Sequence, residues 1–128
     1  MERFLWVCLG SALGGGARYL VSMATLRLLG PSFPFGTLVV NVTGSFFISF
    51  LMQAGLGASP ASTTLRVFLT VGVLGGFTTY STFNHETLSL LRDGALGAAF
   101  LYLALTVLAS LGAGLLGLVL FQKLVEGG

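Results

Sequence analysis

Asn41 and the run Gly75-Gly76-Phe77-Thr78-Thr79-Tyr80-Ser81-Thr82-Phe83 bring an amide, hydroxyls and aromatic rings into stretches that are otherwise apolar. Uncharged donors of this kind suit the replacement of water around a small anion. Taken alone, Asn41 serves equally well as a bond between helices, a common use of polar residues inside membranes. Its neighbours shift the balance. Thr37, Asn41 and Ser45 recur every four residues, and so do Tyr102, Thr106 and Ser110, so each set shares a helix face. Tyr80 and Phe83, three apart, fall on one face if a helix resumes there, and an aromatic ring is electropositive at its edge. Weak contacts of this type let an anion both enter and leave. The ordinary role for such rings is packing, in a chain with eleven Phe and three Tyr.

The acidic residues narrow the chemistry. Glu2, Asp93 and Glu126 lie near ends or turns, and Glu86 comes nearest to a span interior. A proton-coupled small-solute exporter would use a buried acid within a span, and a cation pore would use rings of carbonyls or carboxylates. His85 is the one histidine and Cys8 the one cysteine, so neither a catalytic triad, a cysteine metal cluster nor an intrachain disulfide is expected. An enzyme is therefore not expected. Passive anion conduction, an exporter and a membrane scaffold without transport remain as the functional classes.

The elements that position these groups follow from hydropathy. With 128 residues, 55% of them hydrophobic and 8% charged, and a mean hydropathy of +0.96, the chain reads as a single integral membrane domain over residues 1–128. A span takes about 20 apolar residues, which places four at about 4–23, 36–54, 65–91 and 95–121. The expected fold is all-α, a subunit of four transmembrane helices. The first span carries Arg18, lacks a clear cleavage site and is followed by three more, so it reads as part of the mature protein. Gly30 to Gly36, with Pro31 and Pro34, forms a turn-rich connection, and Gly55 to Pro60 a loop. In the third span, paired glycines and adjacent hydroxyls predict a break near Gly75 to Thr79. Backbone broken at membrane depth must meet protein or a watery cavity.

Basic residues are few and evenly placed. Arg3, Arg66 and Lys123 fall toward one side of the membrane, and Arg18, Arg27 and Arg92 toward the other. Orientation normally follows an excess of cytoplasmic Lys and Arg, so an even division predicts insertion both ways and an antiparallel homodimer. Gly10 with Gly14, and Ser110 with Gly114, offer close-packing faces for such an assembly. Without a Lys/Arg cluster, the net charge of +2 makes no case for nucleic acid as a partner. Membrane lipid is the expected surrounding.

Three motifs then carry a resemblance along the whole chain: Gly14-Gly15-Gly16-Ala17-Arg18-Tyr19, Gly36-Thr37-Leu38-Val39-Val40-Asn41, and Gly75 through Asn84. The chain resembles the Fluc (CrcB) family of dual-topology fluoride channels. The resemblance implies an antiparallel dimer in a bacterial inner membrane, two fluoride pores and a structural sodium ion on the dimer axis. By the same resemblance, Asn41 is the pore asparagine, Tyr80 and Phe83 the pore aromatics, and Ser81 and Thr82 the accompanying hydroxyl pair. Thr37 and Ser110 match a polar track, Arg18 a vestibule arginine, and Thr106 a more variable place. Gly75 and Thr78 match the carbonyls that ligate sodium, two from each copy. Tyr80 stands where the pattern usually has phenylalanine.

Overall fold

The computed structural model describes residues 1–54 and 60–127, which form helices and turns with no strand among them. In order these are α1 (Glu2–Leu29), α2 (Phe35–Gln53), α3 (Pro60–Val67), a π-helical segment (Phe68–Leu74), α4 (Gly75–Phe77), α5 (Tyr80–Arg92) and α6 (Leu96–Glu126). Four stretches are long and apolar enough to cross a bilayer: α1, α2, residues Ala61–Arg92 together, and α6. Of the loop expected over Gly55 to Pro60, residues 55–59 lie outside the described residues, and Pro60 itself opens α3 instead of ending a loop.

Local sequence sets the ends of these helices. Gly30, at φ 80°, closes α1 by donating its N–H to Leu26 O, and Gly94, at φ 75°, turns the chain between α5 and α6. Both occupy backbone conformations that favour glycine. Pro34 directly precedes α2, where its missing N–H costs no helical hydrogen bond. Helix α1 runs to Leu29, so Arg18 stands well inside it.

The glycine faces expected to serve an interface between copies are used within the chain. A Cβ on Gly10 would lie 2.7 Å from Phe68 O and 2.9 Å from Gly72 Cα, and one on Gly14 would collide with Val73 O. From the other side, a Cβ on Gly76 would come to 2.5 Å from Ser11 O. Two small-xxx-small faces, Gly10/Gly14 and Gly72/Gly76, thus bring α1 against the π segment and α4 at backbone contact. On α6, a Cβ on Gly117 would meet Phe46 O, and one on Gly114 would come within 3.2 Å of Ser49 Oγ, so this face packs on α2.

Very little apolar area is buried inside one chain. Among the described residues, Val40, Leu74, Phe83, Ala99 and Tyr102 are the buried hydrophobic ones, while many leucines of α6 remain exposed. In lipid, burial of apolar side chains does not drive helix association, so close backbone packing and polar bonds have to hold the bundle.

Candidate functional site at the helix break

The third span breaks at Thr78 and Thr79, whose backbones are extended at φ −80°, ψ 158° and φ −153°, ψ 114°. Gly75, by contrast, keeps helical dihedrals at φ −62°, ψ −38°. The break expected between Gly75 and Thr79 thus falls at its late edge, on the threonines. Before it, the seven-residue π segment widens the helix, a feature that sequence propensity does not announce.

Asn41 holds the break together. Its Oδ1 accepts the Thr79 N–H at 2.8 Å, and its Nδ2 donates to Thr79 O at 3.0 Å. One amide side chain thereby satisfies both polar groups of a backbone unit that has left the helix. An asparagine NH₂ carries two hydrogens, so one N–H of Asn41 remains for another acceptor. Gly44, one turn along α2, has no side chain at the point where the Thr78 methyl approaches. Thr79 is also the N-cap of α5: its Oγ1 accepts the Thr82 N–H at 3.2 Å and donates to Thr82 Oγ1 at 2.9 Å. Ser81 Oγ lies 3.5 Å from the same Thr79 hydroxyl.

Two carbonyls lose their normal helical partners as a result. Gly75 O would ordinarily accept from the N–H four residues on, at Thr79, which Asn41 has taken. Thr78 O would accept from Thr82 N–H, which caps onto Thr79 Oγ1 instead. Among the described residues no group of three or more His, Cys, Asp or Glu gathers to hold a metal ion. Carbonyl oxygens are the donors available here.

Beside the break lies a cavity of about 350 Å³. Asn41, Tyr80, Phe83, Thr106 and Ser110 line it together with Gly75, Thr78 and Thr79, and no charged residue does. The Thr106 and Ser110 hydroxyls are buried without a hydrogen-bond partner. Tyr80 and Phe83 meet edge-on with ring centroids 5.8 Å apart, and Phe83 meets Tyr102 at 5.2 Å. Phe83 is buried, whereas Tyr80, at the cavity's edge, is 79% exposed.

The remaining candidates stand elsewhere. Thr37 lines a second cavity of about 450 Å³, and its hydroxyl donates to Glu86 Oε1 at 3.0 Å. Tyr102 OH donates to Glu86 Oε2 at 2.6 Å, so the carboxylate ties α2, α5 and α6 together. Ser81 and Thr82 cluster around Thr79 rather than in the cavity, and Arg18 lines neither cavity. Thr79 and Glu86 carry roles that sequence reasoning missed. Glu86 had a usable signal, since an ionisable residue within a membrane span is costly enough to need a reason.

These features define a class: a small four-span helical membrane protein whose third helix breaks beside an uncharged, hydrogen-bonding cavity. The chain belongs to the family described as CrcB-like protein, Camphor Resistance (CrcB), whose model matches residues 5–118. A protein of Anaeromyxobacter dehalogenans named Fluoride-specific ion channel FluC is 57% identical over 88% of this chain and 90% of its own length. Proteins of the same name from Agrobacterium fabrum and Sorangium cellulosum are 44% and 42% identical, covering 92% and 99% of this chain and 94% and 100% of their own lengths.

Proposed function

We propose that this chain forms a passive, fluoride-selective channel that lets fluoride leave the cell down its electrochemical gradient. The observation that carries this reading is the cavity at the break, which offers unpartnered hydroxyls, an amide N–H and ring edges, and no carboxylate. Fluoride is small and strongly hydrated, so a pore must replace water with close donors. The Thr106 and Ser110 hydroxyls and the remaining Asn41 N–H are such donors, and none has to give up an existing partner to act. The name these relatives carry, fluoride-specific ion channel, supports fluoride as the ion.

The working unit is an antiparallel pair of copies. Tyr80, Ser81, Asn84 and His85 are exposed on α5 within a membrane span, where polar groups need protein or water against them. A second copy covers that surface and takes Tyr80 toward its own pore. Gly75 and Thr78 fit the sodium ion implied by the resemblance, because their carbonyls have had their helical donors diverted. Two copies supply four hard oxygen ligands, and bound sodium would offset the clustered carbonyl dipoles.

Liposomes loaded with fluoride and read with a fluoride electrode test the function. Fast efflux that follows the voltage, needs no pH gradient and excludes chloride is expected. Dependence on a proton gradient would instead mark an exporter, and no flux from well-folded protein would mark a scaffold. Tandem fusions test the assembly: a linker with an added span that inverts the second copy should conduct, and a functional parallel fusion would overturn the antiparallel pair. Ion replacement with anomalous scattering should place a cation at the Gly75 and Thr78 carbonyls, and a water there would remove it.

A further inference from the structure

The polar row on α2 does not stop at Ser45. Thr37, Asn41, Ser45, Ser49 and Gln53 recur at every fourth residue along the whole helix. At about 1.5 Å per residue, the row rises about 24 Å through a hydrocarbon layer of roughly 30 Å. Residues four apart form a ridge inclined to the helix axis, so the row winds around α2 as it rises. Its contacts follow that winding: Thr37 meets Glu86 on α5, Asn41 meets Thr79 at the break, and Ser49 lies against α6.

A chain of cavities accompanies the row. The one at the break shares Ser45, Ile48, Val107 and Ser110 with a neighbour of about 540 Å³. That neighbour shares Ile48, Ser49 and Leu118 with a further cavity of about 320 Å³, which reaches Gln53 at the end of α2. Along α6 the hydroxyl row of Tyr102, Thr106 and Ser110 gives way at Gly114. There Ser49 Oγ lies 3.2 Å from where a Gly114 Cβ would be, so α2 supplies a hydroxyl where α6 has none. Ser45 Oγ donates a hydrogen bond to Asn41 O, one turn back, at 2.7 Å. Ser49 makes no such bond among those of the described residues, and the hydroxyl of Ser110, which lines the same cavity, is buried without a partner.

We infer that Ser49 and Ser110 form a second anion station, across Gly114, through which fluoride leaves the break cavity toward Gln53. This rests on the channel reading and on the second copy closing the path from lipid. Gly114 is then a space-keeping residue: a side chain there would stand in the station itself. Gln53, exposed at the end of α2, offers an amide where the ion regains water.

Wild-type efflux in liposomes tests the channel reading first, so its failure is separable from failure of the station. In conducting protein, Ser49→Ala should lower fluoride efflux about five-fold, the scale of one lost hydrogen bond, with the assembly unchanged on size exclusion. Gly114→Val should lower it further. In a Cys8→Ala background, Ser49→Cys should be modified by an anionic methanethiosulfonate with loss of flux, whereas Phe47→Cys, on an exposed apolar position, should not lose flux. Wild-type efflux from Ser49→Ala, together with a Ser49→Cys protein whose flux survives the reagent, would overturn the station.

Discussion

Two groups of hydroxyls lie within a few turns of Phe83, and they are treated in opposite ways. Thr37 and Tyr102 both donate to Glu86, at 3.0 and 2.6 Å, so their protons are spent on a fixed carboxylate. The Thr106 and Ser110 hydroxyls are also buried, yet among the described residues they donate to nothing. A buried hydroxyl without a partner costs about 1–3 kcal/mol. The first group recovers that cost by cross-linking three helices. The second leaves it standing, which makes sense if the missing partner is a passing ion.

This contrast separates stability from conduction, and substitutions can break it. The largest effect is expected where the two meet, at Asn41. Asn41→Leu strands both Thr79 N–H and Thr79 O beside the cavity, so efflux should vanish and thermal stability in detergent should fall by about 2–5 kcal/mol. An intact break with normal efflux would remove Asn41 from both roles. Next comes Phe83→Ile, which keeps bulk and apolarity but deletes the ring edges facing Tyr80 and Tyr102. Efflux should drop at least about tenfold while the assembly survives on size exclusion. Wild-type flux there would make the ring a packing group.

The contrast itself is tested by one variant from each group. Glu86→Gln leaves Thr37 and Tyr102 sharing a neutral acceptor and should lower the melting temperature, since hydrogen bonds to a charged group are worth about 1.5–3 kcal/mol. Ser110→Ala should do the reverse: efflux falls about five-fold while thermal stability holds or rises, because an unsatisfied hydroxyl is removed. Loss of stability from Ser110→Ala without loss of flux would erase the distinction. The smallest effect is expected at Tyr80→Phe. That change removes a hydroxyl from an exposed ring and should leave fluoride efflux unchanged or faster in matched liposomes.

Parts of this contrast were legible in the chain and parts were not. The hydroxyl rows on α2 and α6 follow from four-residue spacing, which any helix turns into a face. Glu86 stands nearest to a span interior of the four acids, but its partners are not legible in the sequence. Its reach to Thr37 crosses 49 positions of sequence, a distance over which periodicity carries no information. The Gly10/Gly14 and Ser110/Gly114 faces were correctly read as close-packing surfaces, yet their partners turned out to be the π segment and α2 of the same chain. Small residues state that something comes close without stating what.

By itself the sequence determined that the protein is four apolar helices, because a bilayer leaves the backbone no cheaper way to satisfy its hydrogen bonds. It also pointed to a break in the third helix, since consecutive threonines beside paired glycines give that backbone other partners. Only the tertiary structure decided where the break closes and what it frees. Asn41 lies 38 positions from Thr79, and when its amide takes the Thr79 N–H, the Gly75 carbonyl loses its donor. That exchange depends on α2 coming close enough at Gly44 to admit Thr78, a matter of packing in three dimensions rather than of local preference.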